Sequence, residues 1–401
     1  MADGSTGGAN GRKAALDPRD FLAVGDQLTP EERDIRDVVR TFVRDHVLPH
    51  VGTWFEEASI PADLPERLGR LGVLGMHLEG YGCAGTSATA YGVACMELEA
   101  GDSGLRSMVS VQGSLAMYAI HRWGSEEQKT TWLPRMAAGE AVGCFGLTEP
   151  DSGSDPGSMR TRARRDGADW VLNGRKMWIT NGSRADVAVV WANTDEGVRG
   201  FLVPRGTPGF TTHDIHAKLS LRASITSELV LDDVRLPDSA RLPEATSLRG
   251  PLSCLNEARY GIIWGAAGAA RACLEAAADY AATREQFGRP IASFQLQQQK
   301  LADMALEVNR ATLLALHLGR MKDAGTLRPE HVSMGKLANV NAALHVARTA
   351  RQMLGANGIT LEYPVIRHMT NLESVVTYEG TADVHALVVG GAVAGVPPAF
   401  R

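Results

Sequence analysis

Gly143-Cys144-Phe145-Gly146-Leu147-Thr148-Glu149-Pro150-Asp151-Ser152-Gly153-Ser154-Asp155 is the stretch at which the chain changes its period. Before it, apolar residues recur at helical spacing. Thr29-Pro30-Glu31-Glu32 reads as a helix start, with a Thr cap, Pro at the first position and acids in the first turn, and Ile35, Val38, Val39, Phe42 and Val43 follow on one face. Similar patterns run over 64–71 and 90–98. From Gly143 onward the apolar runs are short, β-branched or aromatic: 142–147, 170–172, 177–180, 187–191 and 201–203. Asp-Gly, Asn-Gly and Pro-Gly signals separate them, which predicts strands up to Leu236-Pro237. Long Ala-, Leu-, Gln- and Met-rich segments then predict helices over 255–293, 294–321, 329–354 and 364–385. The fold class is therefore α+β: a loose tail at 1–16, a helical domain at 17–142, a β domain at 143–245 and a helical bundle at 246–401.

A chain of 401 residues with 44% hydrophobic content buries a large core. The net charge of -5, without any Lys/Arg-rich run, argues against nucleic acid as a partner. Cys83, Cys95, Cys144, Cys254 and Cys273 are odd in number and widely spaced, which predicts buried thiols in a reducing compartment, with neither a disulfide frame nor a metal site. The glycine-rich start lacks the marks of a signal or transit peptide. The apolar run at 262–273 is broken by Arg271, so no membrane span is expected and the chain reads as cytoplasmic.

Three features carry chemistry. Val375-Val376-Thr377-Tyr378-Glu379-Gly380-Thr381-Ala382-Asp383 sets one carboxylate, Glu379, between an aromatic residue and a glycine. Desolvation there raises a carboxyl pKa toward the range of a general base; the plainer reading is a helix start decorated by Glu379 and Asp383. Arg106, in Ser103-Gly104-Leu105-Arg106-Ser107, stands at the entrance to an apolar run, either as a solvated helix end or as an anion anchor inside a pocket. The Gly143–Asp155 loop and Met177-Trp178-Ile179-Thr180-Asn181-Gly182 each end a strand. The first offers backbone N–H groups and hydroxyls to an anion or ring carbonyl, and the second an indole that can cover a flat ring.

Together with Arg284-Glu285-Gln286-Phe287-Gly288, Gln352-Met353-Leu354-Gly355-Ala356-Asn357-Gly358 and Tyr378-Glu379-Gly380-Thr381, these loops resemble the acyl-CoA dehydrogenase family of flavoproteins. Tyr81-Gly82-Cys83-Ala84-Gly85, the Arg106 motif, Lys218-Leu219-Ser220-Leu221-Arg222-Ala223-Ser224, Asn256-Glu257-Ala258-Arg259-Tyr260-Gly261 and Ile366-Arg367-His368 are similar to its glutaryl-CoA dehydrogenase branch. The resemblance implies a helical domain, a central β-barrel and a four-helix bundle. It makes Glu379 the base that takes the α-proton of a thioester, with FAD accepting the β-hydride. It puts Phe145, Leu147, Thr148, Trp178, Ile179 and Thr180 around the flavin ring, with Ser154, Thr381 and Asp383 also toward the cofactor. Arg284, Phe287, Gln295, Gln352 and Gly355 match positions that reach the ADP half across an interface, which implies a homo-oligomer, taken as a tetramer. Ser107, Ser154, Asn256, Arg259, Tyr260 and Gly380 match acyl-CoA contacts, and Glu99, Arg106 and Tyr378 the group around a distal carboxylate. An electron-transfer flavoprotein is the implied electron acceptor.

The chain departs from the branch at Glu257 (usually Asn), Ala382 (usually His) and Gly391 (usually Arg), and Pro397-Pro398 adds a residue. Glu257 would add negative charge where CoA enters, and so motivates a rival: a biosynthetic relative acting on another thioester, CoA- or carrier-protein-bound, without decarboxylation. A second rival is a catalytically silent flavin- or CoA-binding homologue, which has no chemical need for Glu379.

Overall fold

The computed structural model describes residues 16–17 and 19–398, so all but Leu16 of the expected tail lies outside the described residues. Thr29 opens α1 (Pro30–His46) with a capping box: its hydroxyl accepts from Glu32 N, and Glu32 accepts from Thr29 N at 2.8 Å. Next come α2 (Val51–Glu57), α3 (Leu64–Arg70) and α4 (Ala88–Gly101). α5 (Ser103–Ser110) runs through a π-helical stretch, Val111–Met117, into α6 (Tyr118–Trp123), and α7 (Glu126–Ala137) closes the segment.

The period change at Gly143 is β1 (Gly143–Gly146), which pairs in parallel with β4 (Val187–Thr194), Phe145 opposite Val189. With β2 (Arg162–Asp166), β3 (Asp169–Thr180), β6 (Phe210–Asp214) and β7 (Thr226–Pro237), the order is β1-β4-β2-β3-β7-β6, and β5 (Gly197–Pro204) joins β4. The sheet curls around Cys144, Trp170, Leu172, Val190, Phe201 and Leu229. β5 and β6 share no ladder, so the expected barrel is a curled sheet open along that edge. The runs at 170–172 and 177–180, expected as separate strands, are one strand, β3, whose register shifts between Lys176 and Ile179. β2 was not expected: it reads Arg-Ala-Arg-Arg-Asp, and only Ala163 is buried.

The C-terminal segment holds α8 (Arg249–Thr283), a hairpin of β8 (Glu285–Gln286) and β9 (Arg289–Pro290), α9 (Gln295–Asp323), α10 (Pro329–Met353), α11 (Val365–Val375) and α12 (Ala382–Ala394). Two expected helices are corrected here. The one at 255–293 stops at Thr283, where the hairpin takes over through left-handed Phe287 (φ 52°) and Gly288 (φ 75°). The one at 364–385 is split between α11 and α12, because Glu379 (φ 53°) and Gly380 (φ 95°) leave helical space.

α8 is the axis of the molecule. One buried cluster unites Phe42, Leu98 and Val109 with Tyr260, Trp264 and Leu316, so the first and last segments share a core. A second joins Ile120 and Leu133 to Phe145, Val189 and Trp191. Cys95, Cys144, Cys254 and Cys273 are buried free thiols, and Cys83 is half-buried. Among the described residues no helix is long and apolar enough to cross a membrane.

Candidate active site

The turn between α11 and α12 decides the chemistry. Its three consecutive carbonyls are each held by side chains from other positions in the bundle. Lys336 Nζ on α10 donates to Tyr378 O and, at 2.6 Å, to Gly380 O. Arg259 Nε on α8 donates to Glu379 O at 2.7 Å, and His385 Nε2 on α12 lies 3.3 Å from the same oxygen. With its backbone so fixed in the left-handed region, Glu379 turns its carboxylate inward, where Oε2 is sealed from water and has no hydrogen-bond partner among the described residues. Gly380 is required: a Cβ there would stand 2.7 Å from His385 Nε2 at a φ that L-residues rarely adopt. Burial raises the Glu379 pKa above its ordinary 4.5, although Arg106, Lys336 and Arg259 each pull against it.

Arg106 is no solvated helix end. α4 carries Glu99 to the junction at Asp102, whose carboxylate accepts from Gly104 N at 2.6 Å and so starts α5 with Arg106 pointing into the core. Arg106 Nε donates to Glu99 Oε2 at 2.7 Å, both side chains fully buried, and Nη2 donates to the Tyr378 hydroxyl. Gly265 on α8 makes room for the pair, since a Cβ there would lie 1.9 Å from Glu99 Oε2. Arg106 Nη1 and Glu99 Oε1 are buried without partners among the described residues. Asp102 also accepts from Arg367 and, at 2.9 Å, from Asn371 Nδ2, which ties the start of α5 to the helix that leads into Tyr378 and Glu379. Ser107 is buried beside Arg106.

Along α8, Arg259 Nη1 donates to Asn256 Oδ1 at 3.3 Å, so these two residues and the Glu379 turn are brought together. Tyr260 is not brought to that face: it is buried, and its hydroxyl donates to Ala88 O at 2.7 Å. Glu257 does not stand as an isolated negative charge, because Lys322 Nζ is 2.8 Å from its carboxylate.

The two strand-end loops meet through Met177 N, which donates to Thr148 O at 2.8 Å. Phe145, Leu147 and Ile179 are buried and Thr148 and Thr180 half-buried, whereas Trp178, on the bulge at φ 64°, is 57% exposed. An uncovered indole over a partly polar loop fits a flat ring system, and the unpartnered Glu379 Oε2 fits a substrate carbon brought beside it. Thr381 caps α12, accepting from Val384 N at 3.3 Å, while Ser154 and Asp383 are exposed. Arg284, Phe287, Gln295, Gln352 and Gly355 are all exposed. Gln352 stands sixteen positions beyond Lys336 on α10, about 24 Å at the helical rise, so it lies at the other end of that helix from the Glu379 turn.

Sequence reasoning missed Lys336 and Asp102. Lys336 did leave a signal: it is a lone charge on the face of α10 that also buries Val332, Val340 and Ala343.

The chain matches known proteins along most of its length. Residues 29–140, 144–234 and 249–394 match the N-terminal, middle and C-terminal domains of acyl-CoA dehydrogenase. The mitochondrial short-chain specific acyl-CoA dehydrogenase of Bos taurus is 36% identical, over 91% of this chain and 90% of its own. The crystal structure of glutaryl-CoA dehydrogenase from Mycobacterium smegmatis is 66% identical, with a TM-score of 0.95, over 96% of this chain and 100% of its own. A second Mycobacterium smegmatis glutaryl-CoA dehydrogenase, solved in complex with FADH2, is 61% identical at the same TM-score of 0.95, over 96% of this chain and 100% of its own. With matching segments from residue 29 to 394 and a buried carboxylate at the turn between the last two helices, the chain belongs to the acyl-CoA dehydrogenase family.

Proposed function

We propose that this FAD-dependent acyl-CoA dehydrogenase oxidises and decarboxylates glutaryl-CoA to crotonyl-CoA and CO2. The observation that carries the reading is Nη1 of Arg106: in a guanidinium fully buried beside Glu379, Nε donates to Glu99 and Nη2 to Tyr378, and the third nitrogen has no partner among the described residues. An acyl chain ending in a methyl group has no use for that donor, whereas a distal carboxylate supplies the missing acceptor. The high identity to two glutaryl-CoA dehydrogenases supports the same choice over the short-chain relative.

Phe145, Leu147, Thr148, Trp178, Ile179, Thr180 and Thr381 would hold the flavin end of FAD, which supplies the acceptor for the hydride leaving the β-carbon. Glu379 takes the α-proton. Its desolvated carboxylate is a stronger base than an exposed one, and the fixed turn aims it before the thioester arrives. Arg106 holds the distal carboxylate until the γ-carbon releases CO2 and leaves its electron pair in a dienolate. Glu379, now protonated, returns that proton to the γ-carbon, a step that its raised pKa assists.

The exposed Arg284, Phe287, Gln295, Gln352 and Gly355 support an assembly in which one chain's group serves its neighbour's cofactor; we read it as a homotetramer. Electron-transfer flavoprotein is the proposed acceptor and the cytoplasm the proposed compartment. The Glu257–Lys322 pair weakens the case for a carrier-protein enzyme, which rested on that charge, and the built base argues against a silent homologue. The test is anaerobic flavin bleaching by glutaryl-CoA and butyryl-CoA, with CO2 and crotonyl-CoA measured. Bleaching by butyryl-CoA alone, or oxidation of glutaryl-CoA without CO2, would reject the reading.

A further inference from the structure

We propose that Lys336 is a positioning residue of the reaction: from α10 it clasps the two carbonyls that flank Glu379, fixing the direction of the base and the charge that faces it. The proposal rests on Glu379 being the base. It starts from a mismatch in the core. Lys336 is 2% exposed, on a face of α10 otherwise made of Val332, Gly335, Asn339 and Val340. An ammonium so placed costs stability unless its donors are satisfied. Its donors go to Tyr378 O and Gly380 O, the carbonyls on either side of the base, and its Nζ also lies 5.8 Å from the centre of the Tyr378 ring.

The geometry gives Lys336 a task that neither Arg259 nor His385 duplicates. Those two bind the single carbonyl of Glu379 itself, which leaves the turn free to pivot about that point. Lys336 grips both neighbours and stops the pivot, so that a left-handed Glu379 cannot relax to ordinary φ and swing its carboxylate away.

Charge is the second part of the task. The groups facing the Glu379 carboxylate are Arg106 on α5, Glu99 on α4, Arg259 on α8, Lys336 on α10 and Tyr378 from its own turn, with His385 on α12 behind the backbone. Glu99 is already paired with Arg106, and Arg259 is anchored on the Glu379 carbonyl. Burial pushes the Lys336 ammonium down to about 7, while Glu379 holds it up. The proton on Lys336 therefore bears directly on how easily Glu379 ionises, and removing that cation raises the pH at which Glu379 becomes a base.

The experiment compares wild type, Lys336→Met and Lys336→Gln as flavin-loaded enzymes. Rapid flavin bleaching is followed from about pH 5 to about pH 9 with glutaryl-CoA and butyryl-CoA in parallel. Lys336→Met should lower the limiting bleaching rate about a hundredfold, the scale for displacing a reacting group by an ångström. The half-saturating thioester concentration should change by less than about threefold, because no substrate contact is lost. The acid limb of the rate profile should move up by about one pH unit or more. Lys336→Gln keeps amide donors for the carbonyls but no charge. It should recover most of the rate at high pH and still show the displaced acid limb, and it serves if the Met variant does not fold. An acid limb unmoved in both variants, or a rate loss that appears wholly as weaker thioester binding, would overturn the proposal. A wild type that butyryl-CoA bleaches and glutaryl-CoA does not would instead reject the substrate reading, and the Lys336 comparison is then scored with butyryl-CoA.

Discussion

Removing the Arg106 cation without leaving a buried charge behind is the sharpest test of the substrate. Arg106 and Glu99 are both fully buried and 2.7 Å apart, so Arg106→Ala alone would strand the Glu99 carboxylate in the core, at a cost of about 3 to 5 kcal/mol to folding. The double variant Arg106→Gln/Glu99→Gln replaces the ion pair by two amides that can still hydrogen-bond each other and Tyr378. It also removes the cation that the distal carboxylate needs. Losing one partner of a desolvated charge pair costs about 2 to 5 kcal/mol, so bleaching by glutaryl-CoA at low concentration should fall by about thirtyfold to a few thousandfold. Butyryl-CoA brings no anion to this end of the pocket, and its bleaching should hold or improve. The assay is the ratio of the two second-order bleaching constants in wild type and double variant, with a thermal melt to confirm the fold. An unchanged ratio would refute the reasoning and leave the Arg106–Glu99 pair as core structure only.

Two further outcomes are expected. Glu379→Gln should stay yellow and bind thioester but bleach at least about a hundredfold more slowly, the usual scale for losing a general base; a near-normal rate would place the base elsewhere. At Glu97, burial pushes the carboxyl up, but Arg271 and Arg40 outweigh it and hold it at about 2 against an ordinary 4.5. A folded pKa below the unfolded one adds stability in full above the ordinary value, lost as pH falls toward the folded one; here that is about 3 kcal/mol. Denaturation midpoints of wild type and Glu97→Gln should thus lie furthest apart near about pH 6, draw together as pH falls through about 4 and converge only toward about pH 2, and a constant gap would show that Glu97 is not the acid-sensitive clamp.

The α-β-α order was legible in the sequence because each segment's apolar period survives in its burial. Val39, Phe42 and Val43 face the core of α1, and β4 buries every residue from Val187 to Ala192. What stayed hidden depends on contacts distant in sequence. β2 reads as a charged loop, and its pairing with β3, with Arg162 also opposite Asn193 of β4, makes it a strand. The break between α11 and α12 is held by Lys336, 42 and 44 positions from its two carbonyls, and by Arg259, 120 positions from the one it binds, and local propensity carries no trace of them. Glu379 and Arg106 could be picked out as charges beside apolar runs, and the resemblance grouped Glu99 with Arg106; what it could not show is that Gly265 of α8 clears the space for the pair.

The core shared by α8 with α1, α4 and α5 bears on how the protein is made. A nascent chain that has emerged only as far as the sheet has formed the helices of its first segment but lacks Tyr260, Trp264 and Leu316, which fill their packing surface. Phe42, Leu98 and Val109 then have no partner from the bundle until α8 leaves the ribosome more than a hundred residues after α4. At about 5 to 20 residues per second this exposes apolar helix faces for many seconds, the interval in which a holding chaperone matters and in which premature termination yields a sticky fragment.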